Sequence, residues 1–314
     1  MTRIFYATDL HGSELCFMKF VNAAKFYKAD VLILGGDITG KMIVPIIAQD
    51  DRTFTATFFG RTWKLDSEKS VTDLEKRIRY SGYYPIRTSP DEKKKLDSDS
   101  AEIDRIFSEM MINGVKRWIG LTEEKLKDSG VRCYITPGND DRFDIDQVFE
   151  DGGCVINPEG KVAMIDDRHE MISTGYANMT PWNCPRDISE EELAKKIEDM
   201  ASKVSDMPNC VFNFHCPPYD SGLDIAPKLR DLKPVVEPGG QVMESVGSTA
   251  VRAAIEKYQP LMGLHGHIHE SKAKTNLGCT VCLNPGSEYG EGILRGALVE
   301  LDAKSVRSYQ FTSG

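Results

Sequence analysis

Five strand-like runs in this chain each stop on a turn rich in carboxylate or imidazole. Arg3 to Thr8 runs into Asp9-Leu10-His11, Ala29 to Gly35 into Gly36-Asp37, and Val131 to Thr136 into Gly138-Asn139-Asp140-Asp141. Cys210 to Phe214 ends at His215, and Leu261 to Leu264 ends at His265-Gly266-His267-Ile268-His269. Short apolar runs of this kind predict strands buried on both faces, as in an α/β sheet. Ligands of such sheets bind at the C-terminal strand edge, on loops that the scaffold holds rigidly. Five coincidences of strand end and metal-type side chain therefore constrain fold and site together. Helices are predicted between the runs. One is capped by Ser13, with Leu15, Met18 and Val21 on one face, and another spans Thr249 to Tyr258, between Ser248 and Pro260.

Five of the six histidines lie in these clusters, and His169 stands apart. Neutral imidazole and carboxylate bind borderline divalent metals. Asp9 and His11 are two apart, as are His267 and His269, so on an extended strand end each pair points one way. Asp37 could bridge two ions, one on each oxygen. Asn139 adds a carbonyl oxygen and His215 an imidazole. These seven residues are too many for one tetrahedral ion and suit two ions sharing Asp37 and a water; paired sites have ions about 3.5–4 Å apart. Two divalent cations outweigh Asp9, Asp37 and a bridging hydroxide, and the positive remainder favours a phosphate ester.

The set resembles the calcineurin-like metallophosphoesterases, whose pattern is D-x-H, G-D, G-N-H-[DE], H, then G-H-x-H. Here these are Asp9-Leu10-His11, Gly36-Asp37, Gly138-Asn139-Asp140-Asp141, His215 and Gly266-His267-Ile268-His269. His215-Cys216-Pro217-Pro218, Gly247-Ser248, Glu270-Ser271 and Asn284-Pro285-Gly286-Ser287 are similar to the Icc-related phosphoesterase branch. The resemblance implies a four-layer αββα sandwich of two mixed sheets flanked by helices. It implies one ion on Asp9, His11, Asp37 and His269, and a second on Asp37, Asn139, His215 and His267. It further implies a metal-dependent phosphoester hydrolase in which a bridging hydroxide attacks phosphorus in line. Mixed nitrogen and oxygen ligation admits manganese, iron, zinc, nickel or cobalt, with manganese favoured.

One position departs from the pattern. The family usually has histidine where this chain has Asp140, donating a proton to the leaving group or binding the phosphate. An ionised Asp140 would repel a phosphate dianion more than a diester monoanion, and loss of the acid costs least when the leaving alcohol is acidic. Both arguments favour a phosphodiesterase over a phosphomonoesterase or nucleotide pyrophosphatase. Two other roles stay open for Asp140: protonated by its neighbour Asp141, it could serve as the acid, or it could only cap the turn. A non-catalytic metal-binding scaffold is the alternative of another class, and it would be expected to lose ligands.

Weaker candidates surround the set. His265 is expected to support the ligands, with Asp141 beside them. Arg142 could clamp a phosphate oxygen or pair with Asp144 or Asp146. Tyr176 and Asn178 follow the strand-like Met171 to Thr174, where a loop could face substrate. His169 follows Asp166-Asp167-Arg168 and reads as a hairpin surface residue.

The remaining bounds are compositional. The 314 residues, 40% hydrophobic, suit a single domain carrying an insertion. That insertion is expected at about 50–128 as a helical cap. It would hold a hairpin from Phe54 to Leu65 around Gly60, helices over Ser67–Tyr80 and Ser100–Lys127, and a helix-poor link from Thr88 to Asp99. Ile103, Ile106, Phe107, Met110 and Met111 would pack between the two helices. A net charge of -9 gives no strong nucleic-acid signal and argues against a DNA-repair nuclease. Nothing resembles a signal or membrane span, and eight cysteines in mostly apolar surroundings read as reduced thiols of a cytoplasmic protein. Cys279 and Cys282 have CxxC spacing, but on a strand they face opposite ways. The expected partner is a small-molecule phosphoester, and the oligomeric state is left open.

Overall fold

The computed structural model describes residues 1–49, 52–150 and 153–314. Strand β1 (Thr2–Ala7), helix α1 (Glu14–Tyr27) and strand β2 (Val31–Gly35) open the chain. Then come β3 (Ile43–Ala48), β4 (Phe54–Phe58), β5 (Arg61–Leu65), α2 (Glu68–Tyr80), β6 (Tyr84–Thr88), α3 (Pro90–Ser98) and α4 (Ser100–Leu126). The middle holds β7 (Arg132–Thr136), β8 (Val155–Ile156), β9 (Val162–Met164), β10 (Glu170–Thr174), β11 (Ala177–Asn178), β12 (Asp187–Ile188), α5 (Glu190–Ala201) and β13 (Val211–Phe214). Short pairs follow: β14 (Ile225–Pro227) with β19 (Met243–Ser245), β15 (Leu229–Arg230) with β16 (Lys233–Pro234), and β17 (Val236–Glu237) with β18 (Gly240–Gln241). The chain closes with α6 (Thr249–Tyr258), β20 (Met262–Leu264), β21 (Ala273–Leu277), β22 (Thr280–Asn284), β23 (Arg295–Asp302) and β24 (Ser305–Ser313).

Two mixed six-stranded sheets carry the architecture, in the orders β24-β23-β1-β2-β7-β8 and β21-β22-β20-β13-β10-β9. In the first, β1, β2, β7 and β8 run parallel, with β23 antiparallel beside β1 and β24 antiparallel to β23 at the edge. In the second, β10, β13, β20 and β22 run parallel between antiparallel edges. Side-chain alternation sorts each strand between two cores. Ile4 and Tyr6 of β1 join Val31, Ile33 and Tyr134 in packing against Met171, Val211, Met262 and Leu283 of the other sheet. Phe5 and Ala7 turn the other way, toward Phe17 and Phe20 of α1 and Trp118 of α4. Trp118 stacks on Phe17 with ring centroids 4.0 Å apart. Beyond the second sheet, Phe212 and Phe214 pack on Leu193 and Ile197 of α5 and Val251 and Ile255 of α6. Strands covered on both faces have no polar side to show, which is why they read as continuous apolar runs.

A further four-stranded sheet, ordered β5-β4-β3-β6, packs Val44, Ile46, Ala56 and Phe58 on Val71, Leu74 and Ile78 of α2. The expected hairpin and two helices are present, but β3 and β6 extend the hairpin into a sheet, so the expectation of a chiefly helical cap is corrected. The sheet begins at β3, ahead of residue 50, which lies outside the described residues. The link expected to be helix-poor, Thr88 to Asp99, holds α3. Ser89 and Glu92 close a capping box there, and Pro90 occupies the first turn. The apolar stripe of α4 does not face α2 either. Met111 is buried with α1 and the first sheet, and Phe107 and Met110 pack against the same core. Periodicity shows that a helix has an apolar face but does not name the face's partner.

His169 is also corrected: it is 2% exposed, its ring bridging Asp166 Oδ2 at 2.7 Å and the Asp302 carbonyl at 3.0 Å. Flanking aspartates suggest solvent for a histidine, but here one of them, the half-buried Asp166, is its partner. Cys279 is exposed, Cys282 is buried, and all eight cysteines are free. No helix among the described residues is long and apolar enough to cross a membrane.

Candidate metal centre

The C-terminal ends of β1, β2, β7, β13 and β20 meet where the two sheets face each other. Backbone bonds lock their loops together. Asp9 N–H donates to the Gly36 carbonyl at 2.9 Å, His11 N–H to Asp37 at 2.9 Å, and Gly266 N–H to His215 at 2.9 Å. Asp141 accepts from the amides of Ile38, Thr39 and Gly138, tying the β7 loop to the β2 loop. The Ser287 hydroxyl holds the Asp9 carbonyl at 2.7 Å.

Convergence does not come from strand alternation, which corrects the expectation for the Asp9/His11 and His267/His269 pairs. β1 has ended at Ala7 and β20 at Leu264. Asp9, His11, Asp37 and His267 instead take left-handed φ values of 56°, 41°, 50° and 67°. Such conformations cost of order 1–3 kcal/mol each and persist only where surrounding bonds impose them. Gly36, at φ 123°, has no room to carry a side chain, since a Cβ there would sit 2.2 Å from His215 Nδ1.

Ligand-type atoms of Asp9, His11 and His269 lie within 4.8 Å of one another, as do those of Asp37, His215 and His267. His11 Nε2 and His269 Nε2 face each other at 3.1 Å. Asp37 stands between the groups, with Oδ2 3.5 Å from His11 Nε2 and Oδ1 3.4 Å from His215 Nε2. His215 Nδ1 donates to the Gly35 carbonyl at 2.9 Å, which leaves Nε2 as the nitrogen that faces the centre and can take an ion once its own proton is displaced. Buried His215 Nε2 and Asn139 Oδ1 have no protein partner. Orphaned acceptors among buried carboxylates are costly unless a cation takes them, so the donor set fits metal ions.

Electrostatics agree with a cation-seeking centre. Burial raises Asp9, but the hydrogen bond from His269 and the charges of His215 and His269 outweigh it and hold the carboxyl well below its usual range. Burial likewise opposes ionisation of Asp37, and His215 overcomes it. Burial lowers His11 to about 3 and His267 to about 4, leaving both imidazoles neutral and able to coordinate. His215 resists burial and rises to about 9 through Asp37, so a bound cation would displace a proton there.

Four contributors had no signal in the sequence. Asp187 Oδ1 accepts from Asn139 Nδ2 at 2.8 Å, so the Asn139 carbonyl oxygen is the end left for an ion. Arg186, 2% exposed, donates to the carbonyls of Asp141 and Arg142 and to Asp146 Oδ1. The Tyr289 ring lies 4.7 Å from that of His11. Lys41 Nζ lies 3.0 Å from Asp140 Oδ2. Asp187, Arg186 and Tyr289 lie outside the clusters in sequence, and only Lys41 sits near one, four residues after Asp37. Asp187→Ala frees the Asn139 amide to rotate. We expect it to weaken metal binding by about 10–100-fold, as losing the partner of a ligand does; calorimetric metal titration reads this directly.

The weaker candidates divide. His265 is buried, its Nδ1 on the Phe214 carbonyl at 2.9 Å, outside both ligand groups. Asp141 is pushed up to about 6, by burial and then by the charge of Asp37, but its oxygens serve loop amides, so it is not the source of a proton for Asp140. Arg142 forks onto Asp104 of α4 at 2.6 and 3.1 Å and reaches Asp144 at 3.2 Å; Asp146 pairs with Arg186 instead. Asn178 spends both ends of its amide on Cys216 and the Val246 carbonyl, and the Tyr176 ring lies under Lys196 of α5. Arg142 thus takes the ion-pair alternative, with Asp144 and not Asp146, and Tyr176 and Asn178 are engaged by protein partners.

Glu159 borders this region, accepting from Thr174 Oγ1 and Gly175 N–H. Burial pushes its carboxyl up to about 7. The folded protein then holds a proton there that the unfolded chain releases near the usual glutamate value. Stability contributed by the protonated group is complete below about pH 4.5 and falls as pH rises to about 7, at no more than about 1.4 kcal/mol per pH unit. Glu159→Gln should flatten that slope, measured as urea midpoints of both proteins from pH 5 to 8; parallel curves would contradict it.

No family model matches the chain. A Methanocaldococcus jannaschii protein designated MJ1162 is 29% identical over 151 residues, 48% of this chain and 61% of that relative's length. The crystal structure of TT1561 of Thermus thermophilus aligns over 100% of this chain and 98% of its own, at 13% identity and a TM-score of 0.54, a likeness of fold. The structural neighbours include phosphoesterases, among them Yfce from E. coli, at 10% identity, 98% coverage of each chain and a TM-score of 0.35.

Proposed function

We propose that this protein is a metal-dependent phosphoester hydrolase with a dinuclear centre, acting by preference on phosphodiesters. The observation that carries the reading is Asp37, whose two oxygens face imidazoles of two separate ligand groups. Asp9, His11, Asp37 and His269 would hold one ion, and Asp37, Asn139, His215 and His267 the other. When bound, such ions supply Lewis-acid activation of water and of the phosphoryl group. The chain's own part is to aim the ligands from rigid strand ends and to exclude competing donors. Two sheets with helices on their outer faces suit the four-layer sandwich of the metallophosphoesterase pattern, with the residue 43–88 layer as an insertion in one domain. Eight free cysteines suit a cytoplasmic setting.

Diester preference rests on what position 140 lacks. Among the described residues no imidazole stands there to protonate a leaving alcohol, so esters of acidic alcohols are favoured. A phosphomonoesterase is the second reading, supported by Lys41, which offsets the Asp140 charge that would repel a dianion. Metal analysis with a panel of chromogenic mono- and diesters decides between them. We expect two ions per chain after reconstitution with manganese, turnover of diesters, and an Asp140→His variant whose monoester-to-diester ratio rises about tenfold. An unchanged ratio would remove the diester argument, and fewer than two ions without turnover would remove the hydrolase.

A further inference from the structure

We propose that Lys41 is the phosphate-binding cation of this site, standing in for the imidazole missing at position 140, with Asp140 as its positioning residue. The inference rests on the phosphoester reading above. Lys41 lies on the short link between the Asp37 turn and β3. Its backbone is fixed from both sides. The Ile38 and Thr39 amides are clamped by Asp141, Gly40 N–H donates to Tyr84 Oη at 2.9 Å, and on the far side the Met42 carbonyl accepts from Tyr84 N–H at 2.9 Å. Asp140 is fixed as firmly, because its own N–H donates to Asp37 Oδ1 at 3.0 Å, the oxygen turned toward His215. The Lys41–Asp140 pair therefore has a set distance from the shared carboxylate.

The chemistry matches a phosphoryl oxygen. An ammonium has three N–H donors. Asp140 Oδ2 takes one at 3.0 Å, and the side chain is 45% exposed, so the others face open space beside the centre. Its charge reaches inward, opposing protonation of His11 and His269 and favouring ionised Asp37 as a lesser contribution beside burial and the neighbouring ligands. Burial disfavours the ammonium, but Asp140 and then Asp37 more than compensate, so Lys41 stays a cation. Asp140 also lies 3.7 Å from His11 Nδ1 and within 3.8 Å of Cys184 Sγ. It thus bridges the lysine to the metal-side imidazole. A partly exposed ion pair contributes little to stability, so folding alone gives little reason for this geometry.

The competing account makes Lys41 a mere counter-ion that keeps Asp140 from spoiling the site. The two accounts differ in the double variant. With manganese-loaded protein, kcat and KM are measured on bis-p-nitrophenyl phosphate and p-nitrophenyl phosphate, and inorganic phosphate is titrated calorimetrically. We expect Lys41→Gln to lower kcat/KM about 30-fold or more and to weaken inorganic phosphate about tenfold, with metal content unchanged. Lys41→Arg should recover most of both losses. Lys41→Gln/Asp140→Asn should be no better than Lys41→Gln alone. Recovery in the double variant, or phosphate affinity in Lys41→Gln within threefold of the parent, overturns the proposal. If the parent hydrolyses neither ester, the hydrolase reading fails, and the phosphate titration alone decides Lys41.

Discussion

Asp37→Asn should retain no more than one tightly bound metal ion per chain and lose about ten-thousand-fold in kcat. Asp37 is the residue whose carboxylate faces both ligand groups, with Oδ2 toward His11 and Oδ1 toward His215. An amide can offer one carbonyl oxygen but not two anionic ones, so one group loses its shared ligand and the centre loses a charge. On the proposed dinuclear reading, two ions would stabilise the attacking and leaving oxygens together, and losing one would forfeit several kcal/mol, of which each 1.36 kcal/mol is about tenfold in rate. The fold should survive. Asn keeps the acceptor for Asp140 N–H, and replacing one of two neighbouring buried carboxylates relieves repulsion between Asp9 and Asp37 in the metal-free protein. Elemental analysis paired with steady-state kinetics tests this, and two ions per chain with activity within tenfold would show that Asp37 is not shared.

Arg186→Met should cost about 3 kcal/mol of stability, the low end of what breaking a buried pair takes. Arg186 is the largest fully buried side chain. Its guanidinium satisfies the carbonyls of Asp141 and Arg142 at 2.9 and 3.2 Å and Asp146 Oδ1 at 2.6 Å, while stacking on Phe143 at 4.5 Å. Methionine restores part of the volume and none of the donors, so two carbonyls of the Asn139–Arg142 turn are stranded. Asp146, being 39% exposed, can rehydrate, which is why the cost stays near the low end. Urea unfolding of the metal-free proteins measures it. A shift below about 1 kcal/mol would mean that the turn finds other donors, whereas loss confined to the metal-loaded protein would place the effect on ion binding instead.

The seven proposed ligands, Asp9, His11, Asp37, Asn139, His215, His267 and His269, were legible because they belong to compact sequence clusters after strands buried on both faces. The geometric reason offered for their convergence was still mistaken. Left-handed turns at Asp9, His11, Asp37 and His267 aim the side chains, and no pattern of residue types encodes such turns when non-glycine residues make them. The insertion was misjudged for a related reason. A link rich in lysine and aspartate looks like a loop, yet Ser89, Pro90 and Glu92 are enough to start α3. Its alternating partner strands β3 and β6 are parallel neighbours some forty residues apart, a pairing visible only once the chain is folded.

What a run of residues can settle is local: which segments lose both faces to the core, where they stop, and which ligand chemistry waits at each stop. Those properties depend on neighbours a few positions away. Pairing across the fold is another matter. Asp187 orients Asn139, Arg186 braces the turn it sits on, and Lys41 closes on Asp140, all through contacts between residues distant in sequence. A single side chain makes each of these contacts, with no periodic partner to repeat the signal. They arise because two packed sheets bring five strand ends to one edge, and that packing, not any one segment, sets the charge beside the candidate metal centre.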